Sequence, residues 1–202
     1  MAQSDLTRLT RGRSAFEAGD EAGGIFGVVS GCIELHIASA GGAPTLTHIG
    51  QPGLWLGDIA AIGKHRRLIS AVAAADTELL RLPRACMIRI AAAEPNFWLH
   101  FAELLSANFA RSFGVIGMLR RDDPVQRIAA LLLNLSGDPD YLQLRVPGSQ
   151  SDLAAMANLS RSTVSSALAE LARRNLIRTG YGAIDIIDHN GLTTFLAMSG
   201  EV

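Results

Sequence analysis

The chain has 202 residues, room for one large domain or two modest ones, and 49% of them are hydrophobic, enough to bury a sizeable core. Its 18 Lys and Arg against 19 Asp and Glu leave a formal charge of −1, which excludes a protein that coats nucleic acid through overall positive charge. Any basic surface must therefore be local. Cys32 and Cys86 form no CxxC pair, and the histidines at 36, 48, 65, 100 and 189 are scattered, so no metal spacing is present. The N-terminal stretch MAQSDLTRLTRGRS has no apolar core of a signal peptide, and no apolar run approaches the roughly 18 residues of a membrane span. These features predict a cytoplasmic protein in a reducing compartment, away from any membrane.

Residues 14–90 alternate short apolar runs (IFGVV, CIELHI, LTHI, ELLRL) with turn signals such as AGDEAGG, ASAGGAP and GQPG. That texture predicts an antiparallel sandwich or barrel. Residues 96–121 read NFWLHFAELLSANFARSFGVIGMLRR, with apolar residues at 97, 101, 104, 105, 109, 113, 116 and 119, which is helical spacing. Pro95 suits the first turn and Asp123-Pro124 ends the run. The helix would be about 25 residues, or ~37 Å long at about 1.5 Å per residue. Small residues on its other faces (Ala102, Ser106, Ala107, Ala110, Ser112) allow a second buried face against a partner copy, hence a homodimer; a single core helix is the other arrangement the pattern allows. Gly114 and Gly117 each cost about 1 kcal/mol against Ala in a helix and fit best where backbones approach closely.

In residues 124–202, PVQRIAALLLNLSG predicts a second helix and YLQLRVPG a short strand. SQSDLAAMANLSRSTVSSALAELARRNLI then reads helix–turn–helix, and IRTGYGAIDIID reads as a hairpin before a terminal helix. Ser149 precedes Asp152 by three, the pattern of a helix start. Asn158 sits where the chain must turn and tolerates a left-handed conformation, Leu159 plugs the turn, and Ser160 caps the second helix. At 100° per residue Val164, Ala167, Leu168 and Leu171 share one side. Ser162, Ser166, Ala169 and Arg173 lie opposite, with Arg161 and Ser165 on the flank.

An outer face so small and polar suits a major groove about 12 Å wide, where Arg161 can place its fork on a guanine edge. Ser162, Thr163, Ser165 and Ser166 can bond bases or phosphates. Ser149, Gln150 and Ser160 stand at helix starts, whose amides favour phosphate. Arg161, Arg173, Arg174 and Arg178 against Glu170 make this stretch locally basic despite the charge of the whole chain. Arg178, Thr179 and Tyr181 would form a wing beside the second helix. The same pattern also describes an amphipathic core helix, or a surface that meets a protein.

Several stretches together resemble one family. GQPGLWLGDIAAIGKHRRLISAVAAADTELLRLPR resembles the phosphate-binding cassette of cyclic-nucleotide-binding domains, and FEAGDEAGGIFGVVSGCIEL resembles the opening strands of the same domain. DDPVQRIAALLLNL and SDLAAMANLSRSTVSSALAELARRNLI, with the trailing IDIID, resemble the winged helix of the Crp–Fnr superfamily of bacterial transcription regulators. The resemblance implies an α+β chain of three parts: a jelly-roll β-barrel that senses an effector (1–94), a long dimerisation helix (95–121) and a winged helix-turn-helix that binds DNA (122–202). It further implies a homodimer on a two-fold symmetric promoter site in double-stranded DNA, with RNA polymerase as a partner.

Several residues depart from the family pattern. The cassette's Gly-Glu pair becomes Gly57-Asp58, and its phosphate-binding Arg is matched by Arg67, but Leu68 follows where the family has a hydroxyl. These changes argue against cyclic AMP. The same resemblance places ligand-capping positions at Asn108, Ser112 and Phe113, where Phe113 suits an apolar or aromatic effector; another small molecule, or none, also fits. Clustered N-terminal cysteines for an iron–sulfur centre are missing. The possible axial ligands of a haem (His36, His48, His65, Cys32, Cys86) each read as structural. No nucleophile–base pair and no GxxxxGK motif points to an enzyme. Two functions therefore compete: a sequence-specific DNA-binding regulator, and a ligand-sensing module that regulates a partner protein.

Overall fold

Short apolar runs punctuated by glycine give strands, and the described residues of the first half of the chain form eight of them. The computed structural model describes residues 4–38, 43–63, 65–137 and 143–198. They divide into two compact units, Met1–Ala110 and Arg111–Val202. The four predicted runs are β3 (Gly24–Ser30), β4 (Ile33–Ile37), β5 (Thr45–Gly50) and β8 (Thr77–Pro83). Sequence reading missed β1 (Asp5–Leu9), β2 (Ser14–Phe16), β6 (Trp55–Leu56) and β7 (Ile69–Ala73), and the helices α1 (Asp58–Gly63) and α2 (Arg84–Ala93). Of these, β2 and β6 are three and two residues long, too short to show alternation.

The strands form two four-stranded antiparallel sheets, in the orders β1-β8-β3-β6 and β2-β7-β4-β5. Phe16 and Ala71 from one sheet meet Phe26, Val28, Leu56 and Leu79 from the other in a shared core, completed by Ile33 and Leu54. The predicted barrel thus takes the form of a sandwich, its sheets joined by packed side chains. Gly31, at φ +79°, makes the tight β3–β4 turn; a side chain there would collide with the Asp76 carbonyl and Thr77.

The predicted long helix is α3 (Phe97–Leu119). Its broad apolar pattern resolves into two stripes. Phe97, Phe101 and Leu104 pack with Ile25, Ala61 and Met87, whereas Phe109, Phe113 and Ile116 remain 62%, 58% and 53% exposed. Gly114 answers to a close approach within the chain: a Cβ there would meet Asn134, whose side chain donates to the Arg111 carbonyl at 3.1 Å. Nothing lies within 4 Å of the corresponding point at Gly117.

The second unit holds α4 (Pro124–Leu135), β9 (Arg145–Pro147), α5 (Gln150–Ala157), α6 (Arg161–Arg173), β10 (Ile177–Gly180), β11 (Ala183–Ile186) and α7 (His189–Met198). Asp123 caps α4 by accepting from the amides of Val125 and Gln126, with Pro124 as first residue. Ile128, Leu132, Leu153, Leu168, Leu171 and Leu192, all at 1% exposure or less, form its core. β10, β11 and β9 make a three-stranded antiparallel sheet. Tyr141 and Leu142 of the predicted strand lie outside the described residues. Among the described residues no helix is long and apolar enough to cross a membrane.

Candidate functional site

The helix–turn–helix forms as its residues dictate. Ser149 Oγ accepts from the Asp152 amide at 3.2 Å while the Asp152 carboxylate accepts from the Ser149 amide at 2.7 Å, so α5 starts on a reciprocal cap. α5 ends at Asn158, which is left-handed at φ 51° and ψ 51°. Leu159 is half-buried in the turn. Ser160 Oγ then accepts from the Thr163 amide at 3.1 Å and starts α6.

Val164, Ala167, Leu168 and Leu171 are all at 2% exposure or less, so α6 is anchored along one whole side. Arg161, Ser162, Ser165, Ser166, Ala169 and Arg173 are exposed on the other. Arg161 and Arg178 carry no side-chain partner among the described residues. Several of the other predicted contacts are already engaged. Thr163 is half-buried, with its hydroxyl 2.7 Å from Ser160 Oγ. Ser162 Oγ lies 2.9 Å from the same cap. Arg173 forks onto Glu170 at 2.7 Å, and Arg174 reaches the same carboxylate at 2.7 Å while stacking on Phe195. Both arginines hold the Glu170 carboxyl below the usual carboxylate range. Two arginines share this one carboxylate, so the cluster keeps one net positive charge beside those of Arg161 and Arg178.

The predicted hairpin is β10–β11, closed by Tyr181 and by Gly182 at φ 67°. Tyr181 is fully exposed at its tip, and Thr179 and Arg178 are exposed along β10. Ser149 and Gln150 are also exposed. One basic residue here escaped sequence reading: Arg145 on β9, which pairs with Asp185 on β11 at 3.0 Å. Its distance in sequence from the helix–turn–helix left no local signal.

In the first unit the structure brings Gly57, Asp58, Arg67 and Asn108 together. Asp58 is 5% exposed, and its carboxylate accepts from Asn108 Nδ2 at 2.9 Å. The same Asn108 nitrogen donates to the Trp55 carbonyl at 2.9 Å. Arg67 is buried, at 4% exposure, although its neighbours His65 and Arg66 on the same loop are exposed. Its Nη1 and Nη2 donate to the carbonyls of Gly57 (2.9 Å) and Gly24 (2.7 Å), and its Cζ lies 4.2 Å from the Phe16 ring centroid. Burial pushes the guanidinium below its ordinary pKa, against the pull of Asp20 and Asp58.

Leu68 is 61% exposed. Ser112 and Phe113 fall in the second unit and are exposed on α3. The loop after α1 contributes His65 and Arg66 to an open cleft of about 340 Å³, with Glu21, Ala22 and Arg84 as its other walls; Lys64 lies outside the described residues.

Both halves match family models: residues 6–94 the cyclic nucleotide-binding domain, and residues 126–195 the Crp-like helix-turn-helix domain. The transcriptional regulator SdrP of Thermus thermophilus is 29% identical over 178 residues, spanning 86% of this chain and 84% of that protein. The cyclic AMP receptor protein of the same organism is 30% identical over 178 residues, spanning 87% and 81%. A solved CRP/FNR-family regulator from Thermus thermophilus shares the fold at a TM-score of 0.70 and 27% identity, over 96% of this chain and 98% of that one. With two domain models matched in the family's order and identity sustained over most of the chain, this protein belongs to the Crp–Fnr superfamily of transcription regulators.

Proposed function

We propose that the protein regulates transcription by binding a specific DNA site with α6 as the reading helix. The observation that carries this reading is the division of α6: one side is sealed in the core, while Arg161, Ser162, Ser165 and Ser166 stand exposed at its N-terminal end. Small polar side chains let the helix enter a major groove. Arg161 then reads a base edge, while the amides at the starts of α5 (Ser149, Gln150) and α6 (Ser160) hold phosphate. Arg178 and Tyr181 extend the contact from the wing, and Arg173 joins once phosphate competes with Glu170.

The exposed Phe109, Phe113 and Ile116 stripe of α3 supports a homodimer joined helix to helix. Two reading helices then meet a two-fold symmetric site, with half-sites about one DNA turn (~34 Å) apart. On this reading residues 1–94 sense an effector, 95–121 join the protomers and 122–202 bind DNA, and RNA polymerase is the machinery regulated. The protein has no catalytic step of its own, in keeping with its relatives.

Selection from a random pool of duplexes at about 0.15 M salt tests the proposal. Enrichment of a two-fold symmetric motif is the expected result. Binding no stronger than to random DNA, with the bare protein and with cell extract added, would overturn it in favour of a module that acts on a partner protein.

A further inference from the structure

We infer that Arg67 is a structural cation locked into the sandwich, and that the protein therefore neither binds nor answers to cyclic nucleotides. The fold makes a cyclic phosphate on Arg67 the expectation, and four observations oppose it. First, both terminal nitrogens of the guanidinium already donate to backbone carbonyls, of Gly57 in the cassette and of Gly24 on β3. With the whole group only 4% exposed, a phosphate could reach it only by displacing these carbonyls or by opening the core around the buried Nε. Second, the planar group lies over Phe16 (4.2 Å) and within 5.7 Å of the Phe26 ring centroid, two residues of the sandwich core. Swinging out would leave the rings uncovered and two carbonyls short of a donor.

Third, the backbone on either side is fixed as well. The Arg67 amide donates to the Asp20 carbonyl and its carbonyl accepts from the Gly19 amide, both at 2.8 Å. Gly57 has no side chain where Arg67 Nη1 passes; a Cβ there would collide with it. Fourth, the other polar groups of the cassette are committed. Asp58 is buried and bonded to Asn108 of α3, and Leu68, exposed beside Arg67, offers no hydroxyl. The Asp58 carboxylate is thus met by Asn108 and the terminal nitrogens of Arg67 by backbone carbonyls, while Arg67 Nε, buried beside them, has no hydrogen-bond partner among the described residues. The Asp58–Asn108 bond ties α1 directly to the long helix. An effector that acts through this domain belongs to another chemical class, one without a phosphate ester to be held by Arg67.

Thermal unfolding of the full-length protein, with and without cyclic AMP and cyclic GMP, provides the test. Ligand at about a hundredfold excess over its Kd raises a midpoint by several degrees. The expected result is no shift for either nucleotide, and equal affinity for the selected DNA with and without them. Without ligand, Arg67→Gln and Arg67→Lys are both expected to melt roughly 5–10 °C lower, or to fail to fold, because Lys can neither fork nor stack. A saturable rise in the wild-type midpoint that Arg67→Gln abolishes would overturn the inference. So would an Arg67→Gln protein as stable as the wild type. The DNA arm rests on the regulator reading, whereas the thermal arm does not, so failure of one is separable from failure of the other.

Discussion

Arg161 occupies the first position of α6, exposed and with no side-chain partner among the described residues. As a base reader, Arg161→Ala should lose about 1–3 kcal/mol of discrimination at one base pair, measured by competition titration across single-base variants of the selected site. A uniform loss across all sequences would make it a phosphate contact. Glu170 acts in the opposite sense. It holds Arg173 and Arg174 at 2.7 Å on an exposed surface, where such pairs are individually weak. Glu170→Gln should release both arginines to DNA. Affinity for random duplexes should rise, and the salt dependence should steepen by about 0.9 in log–log slope for each phosphate newly neutralised. Unchanged slopes would show that neither arginine reaches the backbone. Charge counting along the sequence finds these arginines but not their pairing, because several rotamers of Glu170 are compatible with its spacing and only the folded surface selects one.

The elements of the second unit were the most legible. α6 repeats a single period over 13 residues, its Ser160 cap and Asn158 turn are local, and each feature formed where the spacing placed it. Ser160→Ala should cost about 1 kcal/mol of stability, within a range of roughly 0.5–2, read as a shift in the denaturation midpoint. Leu168→Ala, at 1% exposure in the same helix, should cost about 2–5 kcal/mol. Equal losses for the two variants would contradict the division of α6 into a sealed side and an open side. In the first unit α2 was missed, since its sequence RACMIRIAAA follows β8 without a break and buries only Cys86, Met87 and Ala91. Helical propensity there competes with strand-like neighbours, and packing against the sandwich decides.

For the whole molecule, α3 carries the largest consequence. Its stripe of Phe109, Phe113 and Ile116 exposes large apolar side chains along one helix, the kind of surface that a second copy of the helix would cover. Ile116→Glu should convert a sedimenting dimer into a monomer and abolish preference for the two-fold site, while leaving the far-ultraviolet signal of the folded chain intact. A dimer that persists in this variant would move the interface off this stripe. The periodicity of 96–121 announced a helix with too many apolar positions for one face, and the structure shows two uses of them: Phe97, Phe101 and Leu104 serve the sandwich, while Phe109, Phe113 and Ile116 are more than half exposed.

The order of the parts was already determined by the sequence: Gly-punctuated strands, then a long helix, then a capped helix–turn–helix and a hairpin, because each rests on local periodicity, caps and turns. The resemblance built on those parts named the family correctly. The tertiary structure alone decided which of the matching residues are available. Arg67 and Phe16 lie far apart in sequence, yet burial brings the guanidinium onto the ring and its nitrogens onto the carbonyls of Gly57 and Gly24. A motif specifies that an arginine stands at that position. Whether its fork faces a ligand or the backbone depends on which unpaired groups the fold buries around it, and that is a property of the packed core.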